Sequence, residues 1–318
     1  MQQQNSGKIL VIKLGALGDF VQALGPMAAI RRHHPDAHIT LLTTAPYESF
    51  GRDCGYFDEV WIDKKPRLLD LAEWLDLRTR LNSKNFSRVY DLQNNDRTSL
   101  YLRLFSPRPE WVGAARGASH RNTSPQRTAG KGFDGHVQTL ALAGITDVKP
   151  DELSWINGDV RQFHLPRRYA LLIPGSAPQH PEKRWPTENF AALANLIDRQ
   201  GIQPVILGTA AEDSVAQAIC RLHPRAINLT GRTKLPDIVL LARTAAAAIG
   251  NDTGPMHLIA ATGCPSHVLF SLHSNPVRHA PVGVAVTVMQ KDELSELGAE
   301  DVLRNMNFRG YFPTQKIS

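Results

Sequence analysis

Lys8-Ile-Leu-Val-Ile-Lys-Leu14 runs directly into Gly15-Ala-Leu-Gly18-Asp19, and an apolar-periodic stretch then continues to Arg32. The β-branched run reads as a buried strand, the glycines as a tight turn, and the periodic stretch as a helix. A chain that opens this way begins a βαβ unit, which selects an α/β fold with a parallel sheet covered on both faces. The alternation continues outward, with strands expected over 38–43, 59–62 and 88–92 and helices over 68–81 and 98–105. Beyond Trp111 to Gly113 it dissolves into a Gly-, Ser-, Arg- and Pro-rich segment reaching about Asp134, a length without structure that is usually functional or mobile. A short helix is expected over 135–143, and Pro150, Gly158 and Pro166 mark a boundary between domains 1–160 and 161–318.

The second half repeats the pattern. Strands are expected over 169–173, 204–207, 226–229, 246–249 and 266–270, with helices over 187–199, 212–222 and 236–243 and a turn and helix over 251–263. Two doubly wound, Rossmann-like domains in tandem imply a central cleft, with ligand where the carboxyl ends of the strands face each other.

Composition bounds the function classes. A chain of 318 residues with 42% hydrophobic content can bury a core in each of two domains. Its 36 basic and 30 acidic residues leave a formal charge of +6, which suggests polyanionic partners without choosing one. Three dispersed cysteines, Cys54, Cys220 and Cys264, argue against a disulfide framework or a zinc site and fit a reducing cytoplasm. The polar start, Met1 to Lys8, and the break at Lys13 do not make a signal peptide, and no window has the 18 apolar residues of a membrane helix. The expected location is the cytoplasm, and membrane contact would be peripheral.

Three constellations carry chemistry, each where a strand hands over to a helix. In Gly15-Ala-Leu-Gly18-Asp19 the glycines permit close backbone approach and the helix start offers free amides. This spacing is not the dinucleotide fingerprint. Asp19 reads either as a first-turn acid favoured by the helix dipole or as a carboxylate that accepts a proton from an attacking hydroxyl. Position alone does not choose, and a base at a helix start needs partial burial to gain strength.

The second constellation joins Pro174-Gly175-Ser176 to Glu182-Lys183-Arg184-Trp185-Pro186, and its adjacent cations beside a helix start make either an anion site or an exposed charged loop. The third, Gly250-Asn-Asp252-Thr253-Gly254-Pro255-Met-His257, places consecutive turn formers before a helix, so that amides and the Thr253 hydroxyl could meet phosphate oxygens. His257 falls in the first helical turn and could face the same ligand. No metal-ligand cluster is visible.

Taken in order, KILVIKLGALGDFVQALGPMAAIRRHHPDAHIT, VYDLQNNDRTSL, IPGS with EKRWPTENFAAL, and GNDTGPMHLIAATGCP resemble glycosyltransferase family 9, the ADP-heptose:lipopolysaccharide heptosyltransferases. The resemblance spans nearly the whole chain. It implies a GT-B fold, a nucleotide sugar bound mainly by the second domain, an acceptor bound by the first, and inverting transfer with neither metal nor cofactor. Asp19 then matches the proposed base and Lys183 the phosphate-contacting lysine. Asp252, Thr253, Gly254 and His257 match the donor loop, joined on the donor side by Gly175, Ser176 and Arg184. Glu212 looks like the acid that holds the ribose. Gly15 and Gly18 fall on the acceptor side.

The chain departs from the family at Asn94, where glycine is usual after Leu-Gln, and it lacks a late cysteine-rich stretch. The expected donor is ADP-heptose and the expected acceptor the Kdo or heptose region of a lipid A core at the inner membrane face. Between Arg97 and Lys131 the chain has seven Lys or Arg and one acid, Glu110. That stretch, with Arg116, Arg121 and Arg127, reads either as a solvated surface or as a landing strip for the anionic glycolipid. A nucleotide-sugar epimerase could share the fold, but it would act without an acceptor. A nucleic-acid-binding protein would rest only on the high pI, with no recognisable binding module.

Overall fold

The computed structural model describes residues 7–177 and 179–309. The chain divides into two compact units, Met1–Asp151 and Glu152–Ser318. The sequence places the boundary at 160, and hydrogen bonds account for the difference. Arg32 holds the carbonyl of Asp147 at 3.0 Å and Tyr56 bonds the Asp151 carboxylate, which ties the end of the first unit to its own body. Arg243 instead takes the carbonyls of Leu153 and Ile156, at 2.6 and 2.7 Å, into the second unit.

The first unit has strands β1 (Lys8–Ile12), β2 (His38–Thr43), β3 (Glu59–Ile62), β4 (Arg88–Asp91), β5 (Glu110–Gly113) and β6 (His120–Arg121). Its helices are α1 (Leu17–His33), α2 (Glu48–Asp53), α3 (Leu71–Asn82), α4 (Asp96–Tyr101) and α5 (Gly132–Ala141). The strands are parallel in the order β3-β2-β1-β4-β5-β6. Ile9 to Ile12 are fully or almost fully buried, as a strand covered on both faces requires.

The second unit repeats this plan. Strands β7 (Tyr169–Ile173), β8 (Gln203–Ile206), β9 (Ile227–Asn228), β10 (Ala247–Asn251), β11 (Ser266–Phe270) and β12 (Val286–Gln290) lie parallel in the order β12-β11-β10-β7-β8-β9. Its helices are α6 (Thr187–Asp198), α7 (Asp213–Leu222), α8 (Leu235–Thr244), α9 (Gly254–Ala261), α10 (Pro276–His279) and α11 (Ala299–Asn305). In both sheets the strand order reverses at one seam, β1 beside β4 and β7 beside β10, and ligands of open α/β sheets bind outside the strand ends at such a seam.

Several boundaries differ from expectation for local reasons. The helix expected from Leu68 starts at Leu71, because the Asp70 side chain accepts from the Glu73 amide and caps it there. The helix expected over 98–105 begins at Asp96 behind an Asn95 capping box and ends at Tyr101, passing into a 3₁₀ turn over Leu102–Leu104. Glu212 closes a 3₁₀ turn, Ala210–Glu212, instead of opening α7. The expected structureless stretch before Asp134 contains β6, a 3₁₀ turn at Pro125–Thr128 and the start of α5. That turn packs so closely that a Cβ on Gly135 would lie 2.3 Å from the Arg127 carbonyl oxygen.

Candidate active site

In the first unit, the end of β1 delivers Lys13 into the interior, where its ammonium donates to the Leu92 carbonyl at 3.1 Å across the β1/β4 seam. Burial pushes the Lys13 pKa down, and the negative charges of Asp19 and Asp91 act against that. Asp91, fully buried at the end of β4, accepts from the Gln93 and Asn94 amides at 3.0 and 2.9 Å. Burial pushes its pKa up to about 6, opposed by those amides and by Lys13. The Gln93 side chain returns across the seam to accept from the Leu14 amide at 2.9 Å.

Gly15 lies above this network with a φ of +114°, and a Cβ there would meet the Tyr47 ring at 2.7 Å. Tyr47 stacks on Phe20 with centroids 4.7 Å apart. Gly18 is buried in the first turn of α1. The N-cap of α1 is Ala16, whose side chain cannot cap, and Asp19 stands exposed in the first turn. The Tyr47 hydroxyl is pushed up from its ordinary value by burial and by the Asp19 charge.

Asn94 has a φ of +51°, a left-handed conformation that glycine adopts without strain and that asparagine tolerates. Its side chain accepts from the Ala114 amide at 2.7 Å, so the departure replaces backbone freedom with a bond to the end of β5. Among the basic residues of the first unit, Arg116 and Arg121 are exposed, and Arg127 is half-buried.

In the second unit, Asn251 binds the β7/β10 seam together. Fully buried, it donates to the Pro174 carbonyl at 2.7 Å and accepts from the Trp185 amide at 3.0 Å. The loop holding Lys183 is thereby placed beside Asp252. The Lys183 ammonium lies 3.0 Å from the Asp252 carboxylate and 3.3 Å from the Ser274 hydroxyl, and Ser274 donates to the same carboxylate oxygen at 2.6 Å. Arg184 donates to the Ser176 hydroxyl at 3.0 Å. Gly175 and Gly208 make room for Glu212, since a Cβ on Gly175 would lie 2.8 Å from the Glu212 Cγ. The Glu212 carboxylate accepts from the Thr209 amide and hydroxyl at 2.7 and 2.5 Å.

Thr253 is the N-cap of α9 and makes no side-chain capping bond, while Gly254 and Pro255 form the first helical turn. His257 lies buried in the same helix. Lys183, Asp252 and Ser274 thus meet in one cluster, Gly175 and Glu212 in a second contact, and Arg184 and Ser176 in a third. Sequence reasoning misses Asn251, Ser274, Lys13, Asp91 and Gln93. Ser274 stands beyond β11 without a motif, whereas Asp91 and Gln93 fall inside the VYDLQNN stretch.

The model of Glycosyltransferase family 9 (heptosyltransferase) matches residues 146–306. The lipopolysaccharide core heptosyltransferase OpsX of Haemophilus influenzae is 24% identical, covering 91% of this chain and 87% of that protein. Two solved structures share the fold. The family 9 glycosyl transferase of Veillonella parvula superposes with a TM-score of 0.80 at 23% identity, covering 94% of this chain and 96% of the other. The ADP-heptose lps heptosyltransferase II of Escherichia coli does so with 0.74 at 23%, covering 93% and 96%. With its two like-ordered parallel sheets, its motif residues at both seams and the family match over its second half, this chain belongs to glycosyltransferase family 9 (heptosyltransferase) and is a glycosyltransferase of the GT-B fold.

Proposed function

We propose that this enzyme transfers heptose from ADP-heptose to the Kdo or heptose region of a lipid A core, with inversion and without a metal or other cofactor. The acceptor hydroxyl attacks the anomeric carbon as the bond to the diphosphate oxygen breaks, and the Asp19 carboxylate takes the hydroxyl proton. ADP departs with the bonding pair, its charge met by Lys183, Arg184 and the amides at the start of α9. Glu212 holds the ribose, the second unit carries the donor, and the first carries the acceptor. The reaction takes place on the cytoplasmic side of the inner membrane.

The observation that carries this reading is the Lys183 cluster at the β7/β10 seam, a cation held at the mouth of a helix that opens with Thr253 and Gly254. The names of the relatives, a lipopolysaccharide core heptosyltransferase and an ADP-heptose lps heptosyltransferase, support the substrate pair. The test is a thermal-shift series with ADP, UDP, GDP and their sugars, because a ligand bound only by the folded state raises the midpoint. A larger shift with ADP-heptose than with any UDP or GDP sugar is expected, and a UDP-sugar preference would overturn the donor assignment.

Two smaller effects are expected at the site. Gly175→Ala should push Glu212 from its place and weaken ADP binding by roughly tenfold, about the value of one charge-assisted hydrogen bond. Titration calorimetry reads this, and an unchanged affinity removes Glu212 from the donor site. Arg116→Glu with Arg121→Glu should raise the KM for lipid-anchored acceptor several-fold at low salt, and added salt should erase the difference, because exposed charges are screened. ADP affinity should not move. Arg127 is left in place because its backbone packs on α5.

A further inference from the structure

Leu68, Leu69, Leu71 and Leu75 expose 80%, 94%, 72% and 62% of their surface. The first pair tops the loop between β3 and α3, and the second pair lies one helical turn apart on the outer face of α3. A single exposed leucine is ordinary, but four within so short a stretch form an apolar patch that marks an interaction surface.

The loop that presents them is held at its base. Asp63, buried, accepts from the Tyr101 hydroxyl at 2.6 Å and from the Lys65 amide at 2.7 Å. Arg97 donates to the Pro66 carbonyl at 3.1 Å, and the Trp74 indole N–H to the Arg67 carbonyl at 2.9 Å. Asp70 then caps α3. The leucines therefore project from a hydrogen-bonded frame, and Pro66 and Leu77 are buried behind them.

Charge decides what covers this patch. Lys64, Lys65 and Arg67 precede the leucines and Arg78 comes after them, all exposed, whereas Asp76 is the one fully exposed acid among residues 63–80. Asp70 is occupied as the cap, and Glu73 is half-buried. A second copy of the same surface would bring these cations against one another. An anionic bilayer offers an apolar interior beneath a plane of negative headgroups, which complements both features at once.

We propose that Leu68, Leu69, Leu71 and Leu75 dock this protein on the membrane by shallow insertion into an anionic lipid surface, with Lys64, Lys65, Arg67 and Arg78 among the headgroup phosphates. The purpose assigned to this surface rests on the reading that the acceptor is lipid-anchored, but the insertion itself does not. It differs from the Arg116 and Arg121 region, which is assigned to the acceptor's sugar and phosphate groups.

The test compares wild type with the Leu68→Gln, Leu69→Gln double variant in sedimentation with phosphatidylethanolamine and phosphatidylglycerol vesicles. Partitioning should fall by about tenfold or more, as expected from losing two inserting side chains. Salt should weaken wild-type binding without abolishing it, since the apolar part is unscreened. A Leu69→Trp variant should show a blue-shifted fluorescence difference spectrum on adding vesicles. Equal binding of the double variant, or no shift for Leu69→Trp, overturns the proposal. So does a wild-type dimer that the double variant loses, which would make the patch a subunit face.

Transfer to a delipidated, water-soluble acceptor should be unchanged in the double variant, and its loss would assign the loop to the acceptor sugar instead. If wild type transfers heptose to no acceptor while the vesicle results hold, the substrate reading fails and the docking surface stands.

Discussion

Asp19→Asn is expected to lower heptose transfer by about 100-fold, the lower end for losing a general base, while ADP affinity stays near that of wild type. Asparagine keeps the size of the side chain in the exposed first turn of α1 and removes its ability to take a proton. Donor groups lie on the second unit in the proposed mechanism, so binding and chemistry should separate in a kcat against Kd comparison. The Asp19 charge also acts on buried Lys13 and on the Tyr47 hydroxyl, so a structural contribution must be measured. Exposure keeps that contribution small, and the melting temperature should move little. More than a third of wild-type turnover in the variant would reduce Asp19 to a first-turn acid that complements the helix dipole.

Lys183→Ala is expected to cost about 10²–10³-fold in kcat, the scale seen when one preorganised donor to a developing anion is removed, and to weaken ADP-heptose binding less. The difference arises because the diphosphate gains charge as the sugar bond breaks. Without the ammonium, Asp252 keeps the Ser274 hydroxyl but loses its ion-pair partner at 3.0 Å, and then faces the incoming phosphates as a bare anion. Lys183→Ala with Asp252→Asn separates the two effects. Recovery of ADP affinity without recovery of kcat is the expected pattern, and full recovery of kcat would show that Lys183 only neutralises Asp252. Chelation with EDTA should leave the wild-type rate unchanged. Strict dependence on added magnesium or manganese would sink the metal-free mechanism.

Much of the fold is legible in the sequence because its strands are buried on both faces and read as apolar runs, as in residues 9–12 of β1 and Tyr169–Ile173. The short strand β6 has two residues, too few for any periodicity, and the turn over Pro125–Thr128 depends on packing against α5. Polar residues with a local signature, such as Asp252 and Thr253 before Gly-Pro, can be placed on a strand-to-helix turn from sequence. Ser274 cannot. Its part depends on Lys183 and Asp252 arriving from distant positions, at separations of 91 and 22 residues. Asn251 is hidden differently: as one turn former among several, nothing local distinguishes the side chain that joins both loops. Burial at Asp19 is equally illegible, because a helix start fixes where a carboxylate stands and not how much protein covers it.

The seam between β1 and β4, just beyond which the proposed base Asp19 follows in the chain, also sets an order of assembly. Its strands, joined by bonds such as Lys13 to Leu92, are separated by 79 residues, and non-local pairing of this kind is slow because loop closure must precede its reward. On a ribosome adding about 5–20 residues per second, the β1 edge waits roughly 4–16 s for β4 to emerge. During that time β1 has β2 on one side and an open, strongly apolar edge on the other. The nascent first unit is therefore most exposed to misassociation along the line that later becomes its working face, and chaperone engagement during synthesis should concentrate there.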